Sequence, residues 1–139
     1  MGLTIKIITG VYLSVMAVID RRTMKIPVLP GVICLVSIVV AQIVDGVNWV
    51  CWFPGVLVGL FLYLVSRITR GAVGEGDALV YFLTGAALGL TQNVELLMIS
   101  LFFSSLAAGF LILFRHVGKT YKIPFVPFTA IAYGVVMLL

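Results

Sequence analysis

The chain has 139 residues, of which 63% are hydrophobic and only 10% are charged, with a formal net charge of +4. A soluble domain of this length would be about half apolar and about a quarter charged. The composition therefore excludes an ordinary soluble domain and predicts an integral membrane protein with the lipid bilayer as its surroundings. At roughly 20 residues for each span, the length suits one polytopic domain, residues 1–139, with about six spans.

Charged and turn residues divide the sequence into six apolar segments. The first lacks a small-residue cleavage site before its charged end, so we expect a retained span rather than a signal peptide. Together the segments predict an all-α bundle of about six transmembrane helices. In chain order they are Leu3–Ile19, Gly31–Val44, Trp49–Ser66, Ala78–Leu90, Val94–Phe114 and Phe125–Leu139.

The basic residues are concentrated in alternate connectors. Eight of the nine fall in Asp20–Pro30, Arg67–Asp77 and Arg115–Pro124, whereas Asp45–Asn48 and Thr91–Asn93 contain none. Positively charged loops stay on the cytoplasmic side of a membrane. We therefore predict a multi-pass protein of the inner, cytoplasmic membrane with both termini outside. The eight residues are Arg21, Arg22, Lys25, Arg67, Arg70, Arg115, Lys119 and Lys122.

Glycines recur at a four-residue spacing in two of the apolar segments. Gly55 and Gly59 form one pair, and Gly85 and Gly89 form the other. Small residues at this spacing let two membrane helices approach closely. We expect both pairs to serve close helix contacts.

Two aspartates stand at the predicted cytoplasmic ends of apolar segments. Asp20 follows the first segment, and Asp77 directly precedes Ala78. Two carboxylates that lie close together share one proton, because both cannot easily be ionised. Such a pair can hydrolyse a peptide bond without a metal, the ionised member activating water and the protonated member polarising the scissile carbonyl. Glu75 would add a third negative charge and raise the shared-proton pKa further.

Glycines flank the second acidic site. Gly74 and Gly76 allow backbone conformations that other residues cannot adopt, including close approach to a ligand. An extended peptide substrate needs backbone partners beside the catalytic acid, so both glycines are candidate substrate-binding residues. No pair of cysteine and histidine residues has the spacing of metal ligands, and we expect neither a metal nor a cofactor.

Other roles for the two acids stay open at this point. Asp77 suits the N-cap of the helix that begins at Ala78. Asp20 lies at the C-terminal end of its helix, where the helix dipole disfavours an anion, although the adjacent arginines could compensate. A small transporter or channel using Asp20 and Asp77 as an ion pathway is a further alternative, since acids within membranes often mark such paths.

Three stretches resemble motifs of the type IV prepilin peptidases, which belong to the wider class of GxGD intramembrane aspartyl proteases. "DRRTMKIP" resembles the first aspartate motif, "GAVGEGDALVYFLTGAALG" the second, and "KIPFVPFTAIAYG" the Pro-Phe-x-Pro-Phe segment of the last span. They stand in the family's order and cover nearly the whole chain. Leu79 departs from the pattern, since many members have a basic residue at that position.

The resemblance implies an aspartic endopeptidase with Asp20 and Asp77 as its catalytic pair. It implies cleavage of the leader peptide of prepilin or pseudopilin-like precursors at the cytoplasmic membrane boundary, with no nucleic acid involved. The chain resembles the short form without the N-terminal methyltransferase region, so we expect no methyl transfer. A non-catalytic assembly subunit is the remaining alternative, and the sequence is silent on oligomeric state.

Overall fold

The computed structural model describes residues 2–116, 118 and 120–139, apart from the side chains of Trp49 and Cys51. Over these residues all the regular structure is helical, as predicted. The predicted basic residue Lys119 lies outside the described residues. The helices are α1 (Leu3–Thr23), α2 (Val28–Val44), α3 (Trp49–Ile68), α4 (Glu75–Leu88), α5 (Leu90–Arg115) and α6 (Val126–Leu138).

The predicted connector Thr91–Asn93 is wrong, because these residues form the first turn of α5. A single residue, Gly89, separates α4 from α5. Its backbone angles, φ 79° and ψ −178°, belong to a region that is essentially restricted to glycine. The chain therefore reverses in one residue and needs no polar loop.

The helix ends lie at two levels of the bundle. At one level the end of α1 meets the start of α6, where Val126 donates a hydrogen bond to Asp20. At the other level the start of α5 meets the start of α3, where Asn93 donates to the carbonyl of Gly55. We call these levels the Asp77 end and the Asn93 end.

Helix α4 lies at the centre of the bundle and contacts α1, α2, α3 and α5. More than half of its 14 residues are buried. Its contact with α3 is close, as the glycine spacing predicted. A Cβ atom on Gly55 would collide with the carbonyl oxygen of Gly85, and one on Gly59 would collide with the backbone of Phe82.

A buried polar cluster links α3, α4 and α5 by hydrogen bonds at the Asn93 end. Asn93 is fully buried in α5. Its amide oxygen accepts from the Thr84 hydroxyl at 2.7 Å, and its amide nitrogen donates to the carbonyls of Tyr81 at 3.0 Å and Gly55 at 3.2 Å. The side chain therefore joins α5 to α4 and α3, where the sequence had suggested a loop residue.

Two of the described helices, α1 and α5, are long and apolar enough to cross a membrane by length and composition. Helices α2 and α6 are apolar but shorter. Large apolar side chains cover the outer face of α5, where Phe102 and Phe110 are each 59% exposed. The number of spans and the outward position of the termini stay predictions.

Candidate active site

Asp20 lies in the last turns of α1 and is buried, with 6% of its surface exposed. Its Oδ2 atom accepts a hydrogen bond at 3.2 Å from the backbone N–H of Val126, the first residue of α6. The backbone N–H of Phe125 donates to the same carboxylate. The first N–H groups of a helix have no partner within it and carry partial positive charge. They stabilise an anion that the end of α1 disfavours.

The sequence explains why α6 begins beside Asp20. Pro127 occupies the second position of the helix, where its missing N–H removes no hydrogen bond and its fixed φ suits the helical turn. Pro124 precedes the first turn and disfavours helical geometry at Ile123. The Pro-Phe-x-Pro-Phe segment thus starts α6 at a defined residue and leaves the N–H of Val126 free for the carboxylate.

Asp77 is the third residue of α4, not the residue before the helix. The N-cap is Gly74, so the interpretation of Asp77 as the N-cap is wrong. The Asp77 carboxylate instead reaches back and accepts a hydrogen bond from the backbone N–H of Gly74. An acid at this position of a helix commonly bonds in that way to the N–H of the capping residue.

Burial and a neighbouring charge raise the pKa of Asp77 to about 7. Burial is the larger cause, and the negative charge of Asp20 is the second, while the hydrogen bond from Gly74 acts in the opposite direction. The two acids that the sequence pairs therefore lie within electrostatic reach of each other. At neutral pH a substantial fraction of Asp77 retains its proton.

Glu75 does not act as the sequence suggested. Its carboxylate is exposed and lies 4.0 Å from the guanidinium of Arg67. The causes that raise the pKa of Asp77 do not include it. The third acid of the Gly-Glu-Gly-Asp stretch thus faces solvent and a compensating cation.

A cavity of about 400 Å³ opens beside Asp77 between α3, α4, α5 and the segment before α6. Its walls are mostly apolar, with the Asp77 carboxyl and Ser104 as polar exceptions. Gly74 lies on the wall, so this candidate substrate-binding residue and Asp77 face the same space. The lining also includes Leu62, Ala72, Val73, Leu97, Leu101, Ile123 and Phe125.

Gly76 lies elsewhere. It borders a separate cavity of about 460 Å³ with Glu75, on the side of α4 that faces α2 and α3. A Cβ atom on Gly76 would lie 2.8 Å from the side chain of Ile26. The two candidate substrate-binding glycines therefore face different neighbours, and only Gly74 shares a cavity with Asp77.

Sequence reasoning missed the contribution of α6 to this site. Phe125 and Val126 supply the backbone donors to Asp20, and the Phe125 ring packs against the Tyr81 ring at a centroid distance of 6.2 Å. The paired prolines were the available signal, since they mark a helix start. Among the described residues, no three His, Cys, Asp or Glu side chains come together as metal ligands would.

The chain is similar to known proteins over the stretch that contains both acids. The family model of the type IV leader peptidase family matches residues 7–113, a stretch that includes Asp20 and Asp77. The chain is 28% identical over 129 residues to a prepilin leader peptidase/N-methyltransferase of Bacillus subtilis (strain 168). That alignment covers 90% of this chain and 50% of the relative, so the chain spans about half the length of the curated relative that it matches. No solved structure matches the chain significantly.

Proposed function

The chain belongs to the type IV leader peptidase family, and on that premise we propose that it is a membrane-embedded aspartic endopeptidase. Its catalytic pair is Asp20 and Asp77. Its substrates are prepilin-like precursors, from which it removes the leader peptide at the cytoplasmic boundary of the inner membrane. The proposal rests mainly on one observation, which is that the fold brings the carboxylates of Asp20 on α1 and Asp77 on α4 close enough for the charge of Asp20 to act on Asp77, although 57 positions separate them in the chain.

The surroundings of the two acids favour different roles for them. Burial raises the pKa of Asp20, while the hydrogen bonds that it accepts from two backbone N–H groups at the start of α6 act in the opposite direction and favour its ionised form. Asp77 is the member whose pKa is raised to about 7. Asp20 is therefore the general base and Asp77 the general acid of the proposed reaction. The two titrate as a coupled pair.

The proposed reaction follows from these protonation states. Asp20 takes a proton from a water molecule as the water oxygen attacks the scissile carbonyl carbon. Asp77 donates a hydrogen bond to the carbonyl oxygen, which stabilises the charge that develops there. The C–N bond breaks, the leaving nitrogen receives the proton of Asp77, and the proton held by Asp20 passes to Asp77 to restore the starting state.

The cavity beside Asp77 is the proposed place of the scissile segment. Its apolar walls suit the start of an apolar stretch, and Gly74 brings backbone close to the acid. The exposed basic residues Arg21, Arg67 and Arg115 lie near the same ends of their helices. We place the Asp77 end on the cytoplasmic side, which leaves the termini outside.

The decisive experiment compares single Asp→Asn variants with the wild type in detergent. The substrate is a pilin-like precursor with a basic leader followed by an apolar helix. Asp20→Asn and Asp77→Asn should each abolish cleavage, because either change removes one member of the pair. Asp45→Asn is the matched control, since Asp45 is exposed at the Asn93 end of the bundle.

Membrane insertion of each variant is checked by carbonate extraction, so that loss of activity is not loss of the protein. Cleavage at the wild-type rate by either active-site variant would refute the catalytic assignment. Proton or cation flux through reconstituted vesicles, with no proteolysis by the wild type, would instead favour the ion-pathway alternative.

A further inference from the structure

Three buried hydroxyl groups meet between α4, α5 and α6. Tyr81, Ser100 and Thr129 come from these helices in that order, and all three residues are fully buried. The Tyr81 hydroxyl lies 3.3 Å from the Thr129 hydroxyl and also interacts with the Ser100 side chain. We call this group the hydroxyl triad.

The hydroxyl groups of the triad tie the three helices together through few partners. The Ser100 hydroxyl donates to the carbonyl of Leu96 at 2.6 Å, within its own helix. Either hydroxyl of the Tyr81–Thr129 pair can be the donor, because each group has one proton and can also accept. The direct hydrogen bond between α4 and α6 is therefore the one between Tyr81 and Thr129.

The triad lies one helical turn from the two groups that define the proposed site. Tyr81 follows Asp77 by four residues, and Thr129 follows Val126 by three, so each pair shares a helix face. The Tyr81 ring also packs against Phe125, the residue before Val126. A shift of α4 along α6 would therefore break the Tyr81–Thr129 contact and change the distance between Asp77 and the donor that holds Asp20.

We propose that Tyr81 is a positioning residue, whose hydroxyl fixes the height of α4 against α6 and thereby the separation of Asp77 from Asp20. The inference rests on the proposed function for its catalytic consequence, but its structural content does not depend on proteolysis. Tyr81 acts through the helices and does not touch the substrate. Burial makes the contact costly to lose, because an unpartnered hydroxyl inside the bundle cannot bond to water.

Few ionisable groups face Asp77, so at constant burial a change in its titration reports a change in that separation. Asp20 from α1 and Tyr81 from its own helix are the two that interact with it. Within the described residues, α3, α5 and the segment before α6 present only side chains without charge to the cavity beside Asp77, and the uncharged Ile26 packs against the adjacent Gly76. Arg67 and Glu75 lie outside and pair with each other.

The test is Tyr81→Phe, measured with the precursor that the wild type cleaves. We expect kcat to fall between about tenfold and about a hundredfold, because small displacements of catalytic groups are costly, while KM stays unchanged. The acids would spend more time apart, so the repulsion by Asp20, which adds to burial in raising the pKa of Asp77, weakens. The alkaline limb of the pH–kcat profile should therefore shift to lower pH.

Tyr133→Phe is the matched control. Tyr133 is also a nearly buried tyrosine of the bundle, and its hydroxyl donates to the carbonyl of Lys6 at 2.8 Å, far from the acids along α1 and α6. It should lower thermal stability about as much as Tyr81→Phe and leave the pH profile in place. An equal shift in both variants, or a loss of stability in Tyr81→Phe without any shift, would overturn the proposal.

Thr129→Val tests the same Tyr81–Thr129 contact by changing the other partner. It removes the other hydroxyl with little change of shape, so it should reproduce the kinetic change. The double variant should be no worse than either single one, since both remove the same contact. Additive losses would show that Tyr81 and Thr129 act separately and would contradict the proposal.

One readout separates this inference from the proposed function. The infrared carbonyl band of the protonated Asp77, assigned by its loss in Asp77→Asn, can be titrated in detergent without a substrate. Its midpoint should move to lower pH in Tyr81→Phe and stay in place in Tyr133→Phe. Failure of cleavage with this shift present would refute the proposed function alone, whereas an unchanged midpoint would refute the positioning role.

Discussion

The backbone N–H of Val126 donates a hydrogen bond at 3.2 Å to the carboxylate of Asp20, 106 positions earlier in the chain. The first helix thus supplies an acid whose partner is the start of the last helix. Asp77 comes from the central helix between them. Val126 lies beyond the residues that the family model matches, 7–113, so part of the surroundings of Asp20 comes from outside that region.

The coupling of the two acids predicts the effect of removing one charge. Asp20→Asn should lower the pKa of Asp77 from about 7, because the negative charge of Asp20 is one cause of the raised value. The pKa should stay above the ordinary 3.8, since burial is the larger cause and persists. Infrared titration of the Asp77 carboxyl measures the change. Glu75→Gln is the control and should have no effect, and an unchanged midpoint in Asp20→Asn would disprove the coupling.

The raised pKa of Asp77 also predicts how stability depends on pH. Between pH 3.8 and about 7 the folded state holds a proton on Asp77 that the unfolded state has lost, so the free energy of unfolding falls as the pH rises through this range. Asp77→Asn removes this pH-dependent fall in stability, because asparagine does not titrate. The difference in thermal midpoint between the variant and the wild type should therefore favour the variant more at pH 8 than at pH 4. An equal difference at both pH values would argue against a raised pKa.

Gly74 is expected to control the position of the Asp77 carboxylate. A Cβ atom at this residue would lie 2.9 Å from Oδ2 of Asp77. Gly74→Ala should therefore displace the acid and reduce cleavage by about tenfold or more, since catalytic geometry is sensitive to small shifts. Gly118→Ala is a control in a connector at the same end, where the nearest atom would be Thr120 Oγ1 at 3.9 Å. Wild-type cleavage by Gly74→Ala would exclude this role.

The close contact of α3 and α4 predicts a difference between glycines within helices. Gly55→Ala and Gly85→Ala should each destabilise the bundle by about 1–3 kcal/mol, because the added Cβ meets the backbone of the facing helix. Gly109→Ala and Gly134→Ala meet nothing within 4 Å and should keep or raise the stability. Detergent unfolding curves compare the four variants. An equal loss of stability in both pairs of variants would mean that the close contact between α3 and α4 is not the reason for glycine at Gly55 and Gly85.

The sequence predicted the features that depend on residue type and short spacing. Apolar segments between charged connectors indicated the helices, and the four-residue spacing of Gly55 and Gly59 indicated the close helix contact. Asp20 and Asp77 were paired because each adjoins the predicted cytoplasmic end of an apolar segment. These inferences need no knowledge of which helices are neighbours.

The features that depend on packing between distant segments could not be read in the same way. Asn93 suggested a loop because asparagine is polar. Its burial is explained only by its partners in the fold, the Thr84 hydroxyl and the carbonyl of Gly55. Nothing near Tyr81 in sequence identifies Thr129 as its partner. The start of α4 at Glu75 was missed because Gly74 caps the helix without a side chain.

The one-residue corner at Gly89 makes the bundle unequally tolerant of changes in chain length. An extra residue there would rotate every side chain of α5 by about 100° and move it by about 1.5 Å along its axis. Leu97 and Leu101 would then leave the cavity wall, and Asn93 would lose its partners. Insertions and deletions should therefore be rejected at this corner and better tolerated in the longer segment between α5 and α6.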